Sequence, residues 1–169
     1  LGAPLTALYS RVNVDDPFIT FRYAWNLANG NGLVFNTGER VLGTTSPLFA
    51  VLLGLLSSSR EAIPYVAHAA SGMALIGVAL LVSRFTARLT EESKPAASFV
   101  APFFVLTSPL LAETQGFELN LFLLFALAGI AALVKRRAGW AGGLIAAAAL
   151  FRGDGFLLGA MGGAYLIGS

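Results

Sequence analysis

Two carboxylates stand side by side at Asp15 and Asp16, just ahead of Pro17, in the stretch NVDDPFITFRYAWNLANGNG. Neighbouring acids disfavour joint ionisation, which can raise one pKa towards that of a working base. A carboxylate so tuned can take a proton from a hydroxyl within hydrogen-bond reach. Asp16 also has a local explanation, because Pro17 suits the first turn of a helix and Asp16 would be its N-cap. Nothing local asks for a second acid at Asp15. Paired acids also hold metals, but the only histidine, His68, sits in an apolar run and reads as structural or interfacial. Cysteine is absent, which excludes disulfides, thiolate metal sites and thiol nucleophiles.

The elements that must carry these acids are apolar. Hydrophobic residues make up 56% of the chain, charged residues 12%, and the mean hydropathy is +0.74. Soluble domains carry about 25% charged residues, so the composition is that of an integral membrane protein. A net charge of +2 with no basic tract gives no sign of nucleic-acid binding. The chain opens on Leu1 and stops inside the apolar run LLGAMGGAYLIGS, so a piece of a longer protein is expected. Apolar runs cover 63–82, 96–112, 119–134, 140–151 and 156–167, about five spans. A crossing needs about 20 residues; the last two runs are short and need protein neighbours. Gly139/Gly143 and Gly159/Gly163 have the spacing that lets helix backbones approach closely.

Basic residues near helix ends stay on the cytoplasmic side. Arg84, Arg88 and Lys94 flank one connection and Lys135, Arg136 and Arg137 fill another. Residues 48–56 are too short to cross comfortably, so SPLFAVLLGLLSSS is expected to lie along the interface or re-enter. Asp15, Asp16, Glu39, Glu61, Glu113, Glu118 and Asp154 then fall on the outer face, against Glu91 and Glu92 inside. The spacing of Phe18, Phe21, Trp25 and Ala28 predicts an amphipathic surface helix over 18–28, with Arg22, Asn26 and Asn29 on its polar side and Trp25 at headgroup level. A long Gly- and Asn-rich loop follows it, a length that usually signals function. The expected fold is thus all-α: residues 1–62 form the end of a first membrane helix plus an extracytoplasmic loop with surface helices, and 63–169 form a polytopic transmembrane bundle.

The block DDPFITFRYAWNLANGNGLVFNTGERVLGTTSP, followed by ETQGFELNLF and FRGDGFLLG, resembles the membrane-embedded GT-C glycosyltransferases. Similar members include arabinofuranosyltransferases, lipid A aminoarabinose transferases and protein O-mannosyltransferases, and the chain would be only their amino-terminal module. The resemblance implies transfer of a sugar from a polyprenyl-phosphate donor to a hydroxyl acceptor on a glycan, lipid or protein. The active site would face outward from a bacterial cytoplasmic membrane. By position Asp15 and Asp16 match the family's acidic pair, and relatives differ over which member acts. The Asp-Pro pattern of the oligosaccharyltransferases favours Asp16, whereas the cap argument leaves Asp15 free. Asp15 is therefore taken as general base and Asp16 as its helper. Glu118 matches a second acid and Arg152 a donor-phosphate ligand. Arg40, in GERV, could also reach a phosphate. Glu118 has a second explanation, a carboxylate complementing a helix N-terminus. Relatives carry a basic residue before a Pro-acid-Gly element, whereas here RGDG puts Gly153 in place of the proline.

The chemistry that follows is one inverting displacement. The acceptor oxygen loses its proton to the base and attacks the anomeric carbon, and polyprenyl phosphate leaves against positive partners. An acid at the bilayer centre costs about 2.5–3.5 kcal/mol; at the interface that cost shrinks. A lipid-phosphate donor needs no nucleotide and no cofactor, in keeping with the lack of a P-loop or GxGxxG. A divalent ion beside Asp15, Asp16 and Glu118 is the alternative. The rival reading is a non-catalytic GT-C-like subunit packing in a larger membrane complex; a transporter would leave the long surface loop unexplained.

Overall fold

The computed structural model describes residues 16–39, 41, 43–89 and 97–168. Among them the chain forms eight helices and no strand. These are α1 (Asp16–Ala28), α2 (Pro47–Leu56), α3 (Ile63–Leu89), α4 (Ala97–Leu106), α5 (Pro109–Glu113), α6 (Leu119–Val134), α7 (Ala138–Phe151) and α8 (Gly155–Gly168). The all-α expectation therefore holds. The five-span expectation is met only in part, since within the described residues a single helix, Ile63–Arg88, is long and apolar enough to cross a membrane.

The run expected over 96–112 is split. Ser108, held extended at φ −64° and ψ 118°, precedes Pro109, and a new five-residue helix starts there. The proline ring pushes its predecessor out of the helical region, and the ring nitrogen has no proton to give back to residue 105. α6 occupies 119–134 as expected. At 16 residues it is about 24 Å long, short of a ~30 Å hydrocarbon core. α3 runs seven residues past the apolar stretch and carries Arg84 and Arg88 into its last turns.

Side-chain pairings give the helix directions. Ser71 meets Asn120, and Gly77 lies against Leu124. Arg84 and Arg88 share a shallow cavity with Lys135. α3 and α6 are therefore parallel. α7 returns antiparallel to α6, with Phe125 and Phe151 rings 5.2 Å apart, and α8 turns back against α7. Arg84, Arg88 and Lys135 thus gather at one end of the bundle, while Glu118, Arg152 and Asp154 lie at the other. The α1–α2 pair docks at this second end. Phe21 and Ala24 of α1 share a buried cluster with Phe49 and Leu53 of α2, Ile63 at the start of α3, Leu121 and Phe151.

Glycines make the close approaches; of the expected ones, Gly159 alone meets a neighbour within 4 Å, the Ile145 side chain at 3.7 Å. A Cβ on Gly54 would stand 2.8 Å from the Ala24 carbonyl oxygen, so α1 and α2 approach backbone to backbone. Gly129 instead receives the Ile145 side chain and Gly77 the Leu124 side chain. Gly139 and Gly143, by contrast, have nothing within 4 Å, and Gly163 is equally open. Spacing identifies a smooth helix face; the neighbour that fills it is a tertiary matter.

Candidate functional site

α1 begins at Asp16, two residues before the expected start at Phe18 and with Asp16 inside the helix. Asp15, Arg40 and the side chain of Asp16 lie outside the described residues, as do Glu91, Glu92 and Lys94. What the structure does describe is how α1 is fixed. The loop after α1 doubles back along it and is held at every turn. Asn26 Nδ2 donates to the Val34 and Phe35 carbonyls at 2.8 and 2.9 Å. Arg22 Nε donates to the Phe35 carbonyl at 2.9 Å and its Nη2 to Asn36 Oδ1 at 2.7 Å, with the guanidinium 4.2 Å above the Phe35 ring.

Tyr23 is buried. Its hydroxyl donates to the Val41 carbonyl at 2.8 Å and accepts from Gly43 N–H at 2.7 Å. Thr20 closes the set in a buried hydroxyl cluster, 3.2 Å from Ser46 Oγ and 3.5 Å from Thr44 Oγ1. Arg22 and Asn26, on the polar side of α1, therefore anchor the loop. Trp25 packs partly buried against the core. Thr20, Tyr23, Thr44 and Ser46 were missed as a set because their partners are 18–26 residues apart.

Glu118 and Arg152, separated by 34 residues, meet in an ion pair: Nη1 lies 3.2 Å from Oε1. Glu118 occupies the N-cap position of α6 but makes no capping hydrogen bond. Its carboxylate goes to Arg152 instead. Asp154 joins from the other side, accepting from Arg152 Nε at 2.7 Å. The Arg152 guanidinium is consequently held more firmly protonated than a free one. The hydrogen bond to Asp154 is the largest cause, and the charges of Asp154 and Glu118 outlast an opposing loss of solvent. One cation between two acids leaves a local charge of −1.

Position follows from the RGDG turn. Arg152 is extended at φ −157° and ψ 134°. The Gly155 N–H donates to the Arg152 carbonyl at 2.9 Å, closing a four-residue turn. Gly153 occupies the second place of that turn, where proline is favoured in related geometries, and a Cβ there would meet nothing within 4 Å. The departure from proline at Gly153 therefore leaves the turn intact. Gly155 is the constrained residue: a Cβ would sit 2.5 Å from Ala149 Cα and 2.8 Å from the Ala148 carbonyl carbon.

A second polar pair lies inside the helices. Asn120 and Ser71 are fully buried, with Asn120 Nδ2 donating to Ser71 Oγ at 2.9 Å. Asn120 Oδ1 has no partner among the described residues. His68 Nδ1 lies 2.8 Å from the Pro64 carbonyl oxygen one turn back. Among the described residues no three of His, Cys, Asp and Glu converge as a metal site would require. The chain matches no known family, no curated protein and no solved structure.

Proposed function

We propose that the chain is the amino-terminal membrane module of a GT-C-type glycosyltransferase that takes sugar from a polyprenyl-phosphate donor at its outer face. The observation that carries this reading is the meeting of Glu118 and Arg152, two residues singled out 34 positions apart, at the end of the bundle where α1 docks. In this reading the bundle is polytopic, with α3 to α8 in the membrane and α1–α2 at its surface. The surface of the helices supports it: Met73, Ile76, Leu80, Phe99, Phe103, Phe104, Trp140, Phe156 and Met161 are exposed, while Asn120 and Ser71 are inside. Large exposed apolar surfaces belong against lipid or a partner.

Asp15 takes the acceptor proton, Asp16 shapes the site, and Glu118 is the second acid, oriented by Arg152. The acceptor oxygen bonds to the anomeric carbon as the bond to the phosphate oxygen breaks, with inversion. Arg40 remains the loop's candidate ligand for the departing phosphate; Arg152, already paired twice, serves chiefly to hold Glu118. Single Asp15→Asn and Asp16→Asn variants of the full-length protein, assayed for transfer from a polyprenyl-phosphate sugar, test this. At least one should lose about 10²–10⁴-fold; unchanged transfer in both ends the assignment. A non-catalytic subunit is the second reading, favoured by the open glycine face at Gly139 and Gly143 beside exposed Trp140.

A further inference from the structure

We infer that the basic end of the bundle, where α3 and α6 finish side by side, holds the headgroup of an anionic phospholipid of the inner leaflet, a lipid that is bound and not consumed. The inference rests on the proposed reading in one respect, that α3 and α6 cross the membrane with this end inside. A shallow cavity of about 70 Å³ lies between the two helix ends. Leu81, Phe85, Ala131 and Val134 supply its apolar lining, and Arg84, Arg88 and Lys135 its charge. Arg84 and Arg88 lie one turn apart on α3, so both serve the same side of the helix. Two guanidinium forks and one ammonium can surround a phosphate, which offers oxygens to each. One turn nearer the middle of the bundle, Leu80 below Arg84 and Ile130 below Val134 are exposed. A phosphate thus finds cations at the cavity, and acyl chains find an apolar surface leading away from it.

Charge balance at this end favours an anion even when every nearby acid is counted. Arg84, Arg88, Lys94, Lys135, Arg136 and Arg137 are six cations, and Glu91 and Glu92 are the two acids of the same connections. With both acids spent on cations, four cations remain. The C-termini of α3 and α6 each carry about half a negative charge and together offset about one more. An excess of about three positive charges is left to attract a phosphate. The ion pairs among the described residues are those of Arg152 with Glu118 and Asp154, at the opposite end. A soluble anion would use the charge but leave Leu80 and Ile130 uncovered, so the occupant is a lipid. Its headgroup, touching α3 through Arg84 and Arg88 and α6 through Lys135, ties the two helices at the end away from the Ser71–Asn120 bond.

The test uses the full-length protein in a non-ionic detergent, titrated with dioctanoylphosphatidylglycerol and followed by calorimetry. Saturable binding is expected, tighter than that of dioctanoylphosphatidylcholine and not displaced by inorganic phosphate at roughly tenfold excess. These comparisons use the unaltered protein and need no variant. Arg84→Gln, Arg88→Gln and Lys135→Gln should each weaken binding about fivefold, and the three together about a hundredfold. Arg84→Lys with Arg88→Lys should keep most of the affinity. All three positions are exposed, and an unchanged melting curve without lipid shows that the variants are folded. Equal affinity for the phosphatidylcholine overturns the site, as does displacement by inorganic phosphate. So does an equal loss in Arg136→Gln with Arg137→Gln, which lie outside the cavity and would then act through a diffuse field. Selective binding by a protein that transfers no sugar would uphold this site and sink only the transferase reading; sugar transfer without lipid selectivity would do the reverse.

Discussion

Gly155→Ala is the sharpest perturbation available, because its consequence reads directly off the backbone. The added methyl would stand 2.5 Å from Ala149 Cα and 2.8 Å from the Ala148 carbonyl carbon. Carbon atoms at rest sit about 3.5–4.0 Å apart. Both neighbours are main chain, so neither can rotate away, and α8 must retreat from α7 by about 1 Å. Overpacking of this kind costs about 1–3 kcal/mol, partly offset by alanine's better helix propensity, up to about 1 kcal/mol. The net expectation is a loss of about 1–2 kcal/mol, or a melting temperature lower by about 2–8 °C for a chain of this size.

The same movement pulls on the turn that carries Arg152, whose 3.2 Å contact with Glu118 is close to the limit of a hydrogen bond. Gly153→Ala is the matched control. It lies two residues away in the same turn, with nothing within 4 Å of its Cβ, and should change stability by no more than about 0.5 kcal/mol. Thermal unfolding of both variants in detergent micelles, followed by far-ultraviolet circular dichroism, makes the comparison. Identical melting of the two variants would refute the packing of α8 on α7 described above.

Three further substitutions probe the interior and the basic end. Arg136 sits at φ 54°, and Arg137 N–H reaches back to the Ala132 carbonyl at 2.9 Å while Arg136 N–H reaches Leu133 at 2.8 Å. This is the helix ending in which glycine normally takes the left-handed position, so Arg136→Gly should raise stability by about 1 kcal/mol; a lower melting temperature would mean that the arginine makes a contact worth more than its strain. Ser71→Ala removes the partner of buried Asn120 and should cost about 0.6–1.7 kcal/mol. Adding Asn120→Leu should recover part of that loss, since apolar groups in place of both partners leave no polar atom stranded; a neutral Ser71→Ala would show that the buried bond contributes nothing.

Several features could be read before any fold was known. The limits of α6 follow from an apolar run closed by Glu118 and Lys135. The start of α2 follows from Ser46 and Pro47. The break at Pro109 is also legible, although the flanking residues are so apolar that the run reads as one. His68, by contrast, gives no sign in the sequence of its 2.8 Å contact with the Pro64 carbonyl.

Local order is enough to separate apolar stretches from charged ends, because hydropathy and basic flanks are properties of neighbours in the chain. That much, the helices and the sorting of basic from acidic ends, is determined by the sequence alone. The tertiary structure decided the rest: that Gly129 and Gly155 meet other helices while Gly139 and Gly143 meet nothing; that Arg22, Tyr23 and Asn26 grip a loop; and that Arg152 spends its charge on Glu118 and Asp154. Each depends on which residue lies across a gap of a few ångströms, and that neighbour comes from a distant part of the chain.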